Sequence, residues 1–359
     1  MESRVAGVRR RRRLFGAAAW VLAGWALWGS FGCRRQDKPE RIQIGLSMDS
    51  LRVERWKRDR DLFTDRAREL GADVLVQSAD GDAKLQNSQA ENLLTQRVAV
   101  LVVIPKDGVA AAQIVETAHR QNVKVLAYDR LIRDSDLDLY ISFDNERVGY
   151  LQAEYLTRVV PRGRYFLLGG APTDNNAQLL RQGQLRALQP KIDAQDITIV
   201  GDQWTDNWDP TVALRHVEQA LTANNNRIDA IVASNDGTAG GAIEAVRAQR
   251  MAGKVAISGQ DADLAACQRI VEGTQTMTVY KPLKPLAHRA AELAVALAKG
   301  DAIPTERTLN NGKVEVPAVL LDPVPVDASN VYDVVIQDGF HAVEDVYKNI
   351  PRQRWPSGS

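Results

Sequence analysis

From Arg41 onward, short apolar runs rich in β-branched residues alternate with longer stretches whose apolar positions recur at helical spacing. The runs read as strands: "IQIGLSM", "ADVLVQSA", "VAVLVVI", "VKVLAYD", "RYFLLGG", "ITIVGD", "IDAIVAS", "KVAISG" and "TMTVY". Helical patterns follow most of them. Between Ser50 and Leu70, Leu51, Trp56, Leu62, Phe63, Ala67 and Leu70 fall at roughly helical spacing with charged residues between them. Strands alternating with amphipathic helices predict an α/β fold built on parallel sheets.

A weak internal repeat divides this pattern into two similar halves. "VLVVIPKDGVAAAQIVETA" followed by "KVLAYD" has the plan of "AIVASNDGTAGGAIEAVRA" followed by "KVAISGQD". Each copy is an apolar strand, Asp-Gly, an Ala-rich helix, and a strand ending in Asp. Ligands of open α/β sheets bind beyond the carboxyl ends of strands. Asp129, Arg130 and Asp261 therefore stand where side chains from two sheets can converge on a small molecule.

Length and charge narrow the picture. A chain of 359 residues, 45% hydrophobic and 25% charged, can bury a large core and favours about two domains. Net charge is +1, with much of the basic excess in Arg9 to Arg13, so the body offers no broad basic face for nucleic acid. Those arginines precede the apolar run "LFGAAAWVLAGWALWGSFGC", which makes residues 1–33 an export signal outside the fold. Cys33 suggests a lipoprotein signal, although Ser30 stands where such signals usually carry Leu. Acylation at Cys33, cleavage nearby and retention as an uncleaved helix are all open; each places the body outside the cytoplasm. Residues 34–40 read as a polar tether. Cys267 has no second body cysteine to pair with and reads as a buried, inert thiol.

Eight segments then carry a family resemblance. "SLRVERW", "AYDR", "TDNNA", "GDQWTDNW", "ALTANNN", "ASNDGTAGGA", "SGQDAD" and "TQTMTVYKP", in this order from about Ile42 to His341, resemble the periplasmic D-xylose-binding proteins of bacterial ABC importers. The resemblance implies the type I periplasmic binding fold: two doubly wound parallel-sheet lobes joined by three crossovers, closing on a sugar. With crossovers placed near Asp144, Pro282 and Asn310, residues 41–144 plus 282–310 form an N-terminal lobe. Residues 145–281 plus 311–345 form a C-terminal lobe, and 346–359 a disordered tail.

A pyranose has two apolar faces and a rim of hydroxyls that both donate and accept, so its site needs aromatic platforms and paired polar groups. The resemblance makes Trp56 and Trp208 the platforms, where sequence alone fits either to a core; Trp204 is assigned to the core or a supporting layer. It also implies hydrogen-bonding roles for Arg55, Asp129, Arg130, Asn176, Asn235, Asp261 and Lys281. Simpler roles exist for several: an ion pair for Asp129 and Arg130, helix caps for Asn235 and Asn175, a surface position for Lys281. The implied ligand is D-xylose, bound without a cofactor or metal by a monomer that docks on a membrane permease powered by a separate ATPase.

Other function classes fit less well. The chain has no G-x-x-x-x-G-K-[ST] phosphate loop and no G-x-G-x-x-G after a strand. His119, His216, His288 and His341 show no metal-ligand spacing. Asp129 and Asp261 as a glycosidase pair is a remote alternative. A sugar-responsive regulator would carry a helix-turn-helix where the export signal stands. Another pentose, or a sensor feeding chemotaxis or a histidine kinase, stays open as the alternative to import of D-xylose.

Overall fold

The computed structural model describes residues 41–52, 55–305 and 307–356. The expected export signal, tether and Cys33 lie outside the described residues. The described chain opens with β1 (Ile42–Met48), α1 (Arg55–Glu69), β2 (Ala72–Ser78), α2 (Ala83–Thr95), β3 (Val100–Ile104), α3 (Ala112–His119), β4 (Lys124–Tyr128) and β5 (Leu139–Phe143). Next come α4 (Asn145–Val159), β6 (Gly163–Gly169), α5 (Asn175–Asp193), β7 (Ile197–Trp204), α6 (Pro210–Ala223), β8 (Ala230–Ala233), α7 (Asp236–Ala248), β9 (Ala256–Ile257) and α8 (Leu264–Val271). β10 (Thr278–Tyr280), α9 (Leu283–Lys299), β11 (Arg307–Asn310), β12 (Glu315–Leu321), β13 (Val324–Val326) and α10 (Val343–Val346) follow.

These strands build two main sheets. One has the order β11-β12-β5-β4-β3-β1-β2 and the other β7-β6-β8-β9, with β10 and β13 forming a short antiparallel ribbon. All pairings in the main sheets are parallel except β11 with β12. Alternation along β3 shows why the first sheet is covered on both faces. Val100, Val102 and Ile104 join the core with Phe63 of α1 and Leu286 of α9, while Leu101 and Val103 join Leu93 of α2 and Ile114 of α3. In both sheets the first strand sits between the second and third, which is the switch-point order at which open α/β sheets bind ligands.

The chain leaves the first sheet after β5, comes back to it through α9, and leaves again after β12. The expected crossing near Asn310 is therefore corrected. Both β11 and β12 belong to the first sheet, with Ala318 to Leu321 in register with Tyr140 to Phe143. The expected tail is corrected too. Val346 and Tyr347 are buried, Trp355 packs at 5.9 Å from the Tyr347 ring, and its Nε1 donates to the Ile350 carbonyl at 2.9 Å. An apolar cluster with Cys267, Tyr280 and Val335 holds this segment, which gives residues 346–356 a packed surface that composition alone did not reveal. Cys267 is buried in that cluster.

Candidate functional site

The carboxyl ends of the strands in both sheets meet at one cavity. It is lined by Arg55, Trp56, Asp129, Arg130, Asn176, Trp208, Asn235, Asp261 and Lys281, together with Asp174 and Gln260. All nine residues singled out in the sequence are brought together there. Trp204 stands aside, its ring 5.0 Å from the Arg181 guanidinium.

Asp129 shows how a strand end becomes a site. Its φ of 63° turns the chain out of β4 into the left-handed region, where Asp is tolerated better than most residues. Three donors pin the turn at its carbonyl: the hydroxyls of Tyr140 (2.9 Å) and Ser142 (2.7 Å) and the Asn176 amide (3.0 Å). Asn176 Nδ2 also reaches Asp129 Oδ1 at 3.0 Å, tying α5 to the end of β4. Asp261, at the equivalent place in the other half, has φ 95°.

Arg55 is the hub of the charge network. It contacts Asp59 Oδ2 at 3.0 Å, Asp129 Oδ2 at 3.0 Å and Asp261 Oδ1 at 3.3 Å, and lies 4.7 Å from the Trp56 ring centroid. Arg130 pairs with Asp49 and with Asp174, each at 2.8 Å, and Lys281 with Asp261 at 3.0 Å. Burial disfavours charge on Arg55, but Asp129, Asp59 and Asp261 outweigh it and hold the guanidinium protonated. Burial pushes the Asp129 carboxyl up; Arg55, Lys281 and Arg130 together overcome that and hold it below its ordinary value. At Asp174 burial prevails over Arg130, and the carboxyl sits above its ordinary value. The cavity thus offers fixed cations as donors and carboxylates as acceptors, the complement of a ring of hydroxyls.

Trp56 lies against the guanidinium groups of Arg55 and Arg130, 4.7 and 5.5 Å from its ring centroid, whereas Trp208 is held by a hydrogen bond. Trp208 Nε1 donates to Asp174 Oδ2 at 3.1 Å, and its backbone is left-handed, with φ 57°. Its ring crosses Gly170 so closely that a Cβ there would lie 2.1 Å from Cη2. Asn235 caps α7 through Oδ1, which accepts from the Thr238 N–H at 2.8 Å, so the helix-cap role and the cavity position are held by the same side chain. Capping uses the oxygen and leaves the amide nitrogen for a ligand.

Sequence reasoning missed Asp174 and Gln260. Asp174 is the N-cap of α5, its Oδ1 accepting from the Asn176 N–H at 2.9 Å; the Asp before "NNA" carried that signal. Gln260 precedes Asp261, and its buried Oε1 has no hydrogen-bond partner among the described residues. An acceptor of that kind on a cavity wall suits a hydroxyl donor. No side-chain group of three or more potential metal ligands occurs among the described residues.

Two largely parallel sheets with their carboxyl ends turned on a buried, aromatic and charged cavity define a small-ligand binding protein. Residues 44–302 match the periplasmic binding protein domain, and the chain belongs to that family, with its type I fold. It is 56% identical over 306 residues to the D-xylose-binding periplasmic protein of Haemophilus influenzae, covering 85% of this chain and 92% of that one. Identity to the D-xylose-binding periplasmic protein of Escherichia coli is 56% over 302 residues, covering 84% and 92%. A carbohydrate transporter solute binding protein from Chloroflexus aurantiacus, solved in complex with D-glucose, matches with TM-score 0.80 at 32% identity, covering 84% of this chain and 98% of that one.

Proposed function

We propose that this protein captures D-xylose outside the cytoplasm, in the periplasm, and delivers it to an ABC-type permease driven by a separate ATPase, without altering the sugar. The observation that carries this reading is the single cavity in which Trp56 and Trp208 accompany Arg55, Asp129, Arg130, Asn176, Asn235, Asp261 and Lys281. In it the tryptophans stack on the C–H faces of the ring, the carboxylates accept from hydroxyls and the cations donate to them. The relatives that match over most of their length support the choice of sugar. An inverted or missing hydroxyl would leave a buried polar group unpaired, at about 1–3 kcal/mol. Residues from both sheets surround the sugar, so binding favours the form in which the two halves are closed, and that form docks on the permease.

Isothermal titration with D-xylose, L-arabinose, D-ribose and D-glucose tests the reading. D-Xylose is expected to bind most tightly, with a matching thermal stabilisation of about 2.7 kcal/mol at 100 times its dissociation constant. Equal or tighter binding of another sugar would reassign the ligand, and no binding of any of the four would remove the proposal.

Gly170 supplies a second test, at a residue with no side chain to touch the ligand. In Gly170→Ala the new methyl collides with the Trp208 ring, which must leave its place. D-Xylose affinity is expected to fall at least tenfold, with thermal stability of the sugar-free protein little changed. Unaltered affinity would mean that Trp208 does not stack on the sugar.

A further inference from the structure

Asp261 and Ala262 are consecutive non-glycine residues with φ of 95° and 53°. Left-handed backbone is disfavoured for such residues and persists where the surroundings over-determine it. The residue that does so here is Asp236, the first residue of α7, which is buried and does not line the cavity. Its N–H donates to the Gln260 carbonyl at 3.0 Å, just before the turn. Its Oδ2 accepts from the Asp263 N–H at 3.0 Å, just after it, and from the Thr278 hydroxyl at 2.9 Å. Thr278 Oγ1 accepts in turn from the Ala262 N–H at 3.3 Å. The turn is thus clasped on both sides of Asp261.

The clasp is itself fixed from behind. Asp236 Oδ1 accepts from Gln275 Nε2 at 2.7 Å, and Gln275 cannot reverse its amide because its Oε1 accepts from Arg269 Nε at 3.0 Å. Arg269 Nη2 donates to the Asp236 carbonyl at 3.0 Å. Gly259 is required for this approach, since a Cβ there would lie 1.9 Å from Asp236 Oδ1. Every hydrogen bond to the carboxylate comes from a donor, although burial pushes its carboxyl up to about 7 against the pull of Arg269.

We propose that Asp236 is a positioning residue for ligand capture, setting the Gly259–Asp263 turn so that the Asp261 carboxylate meets Arg55 and Lys281 at the cavity. Its effect on affinity rests on the sugar-binding reading above; its effect on the turn does not. Asp236→Asn keeps the shape of the side chain and sets an NH2 group against a donor. Two readouts on the full chain separate the claims: titration with D-xylose, and amide hydrogen exchange of the segment Gly259–Leu264 without sugar. D236N is expected to exchange at least tenfold faster in that segment and to bind D-xylose at least tenfold more weakly. Val246→Ala, a buried change farther along α7, is expected to lower stability with neither effect. If D236N does not fold, Thr278→Val removes one of the contacts and is expected to shift both readouts the same way. Unchanged exchange overturns the proposal, and so does faster exchange with unchanged affinity, or an equal loss of affinity in V246A. If the unmodified protein binds no pentose, the sugar reading fails separately, and the exchange measurement alone decides whether Asp236 sets the turn.

Discussion

Arg55→Ala is expected to cost the protein at least a hundredfold in D-xylose affinity and to destabilise it measurably without sugar. Arg55 faces Asp59, Asp129 and Asp261 at 3.0 to 3.3 Å, and side chains on both members of each pair are nearly inaccessible. Deleting one partner of a buried ion pair strands the other in a medium that solvates charge poorly, typically at about 3–5 kcal/mol. Each 1.4 kcal/mol is about tenfold in a dissociation constant. The loss falls on binding as well as stability because Asp129 follows β4 and Asp261 lies between β9 and α8. Without the guanidinium, these carboxylates repel across the cavity that the sugar must share. Arg55→Lys should recover only part of the loss, since an ammonium lacks the planar fork that serves several carboxylates at once. Titration calorimetry paired with urea unfolding decides the matter; an Arg55→Ala protein binding within threefold of the parent would show that the hub is dispensable.

Gly183→Ala is expected to destabilise the protein by about 3 kcal/mol, although alanine is normally the better helix residue by about 1 kcal/mol. Helices α4 and α5 approach so closely that a Cβ on Gly183 would lie 1.9 Å from the Glu146 carbonyl oxygen, and one on Gly149 1.9 Å from that of Leu180. Backbone atoms are the obstacles, so no rotamer change relieves them; the helices must separate. Because α5 begins beside Asp174 and carries Asn176, separation also draws Asn176 away from Asp129 and should weaken sugar binding. The sign of the urea-unfolding change is the test: a Gly183→Ala protein as stable as the parent would mean that the two helices have room to spare.

Much of the fold was legible because burial imposes periodicity. Strands such as "VLVVI" in β3, covered on both faces, read as continuous apolar runs, and α1 shows its buried stripe at Trp56, Phe63 and Ala67. The strands that escaped notice lack that imprint. β11 is an edge strand with sequence "RTLN" and almost no buried residue. β5 is fully buried yet only five residues long, and it follows the polar segment "RDSDLD". Because β11 and β12 both belong to the first sheet, the third crossing falls after Leu321 rather than near Asn310. The packed segment 346–356 escaped for a related reason: it is held by scattered contacts, Tyr347 with Trp355 and Arg352 with Trp355, that follow no repeating spacing.

The class of fold, the duplicated plan of strand, helix and strand-end Asp, and, through a family resemblance, the nine side chains now found around one cavity are all legible in the chain. Local periodicity and residue chemistry are properties of the chain, so they can be read from it. How those side chains are held depends on the folded arrangement. It alone joined Trp208 to Asp174 across 34 residues and Arg55 to Asp261 across 206. It also put left-handed backbone at Asp129 and Asp261, and set Asp236 behind the second of these turns. A hydrogen bond between residues remote in the chain leaves no mark on the spacing of either, and the shape of a turn depends on donors that only folding brings within 3 Å of it.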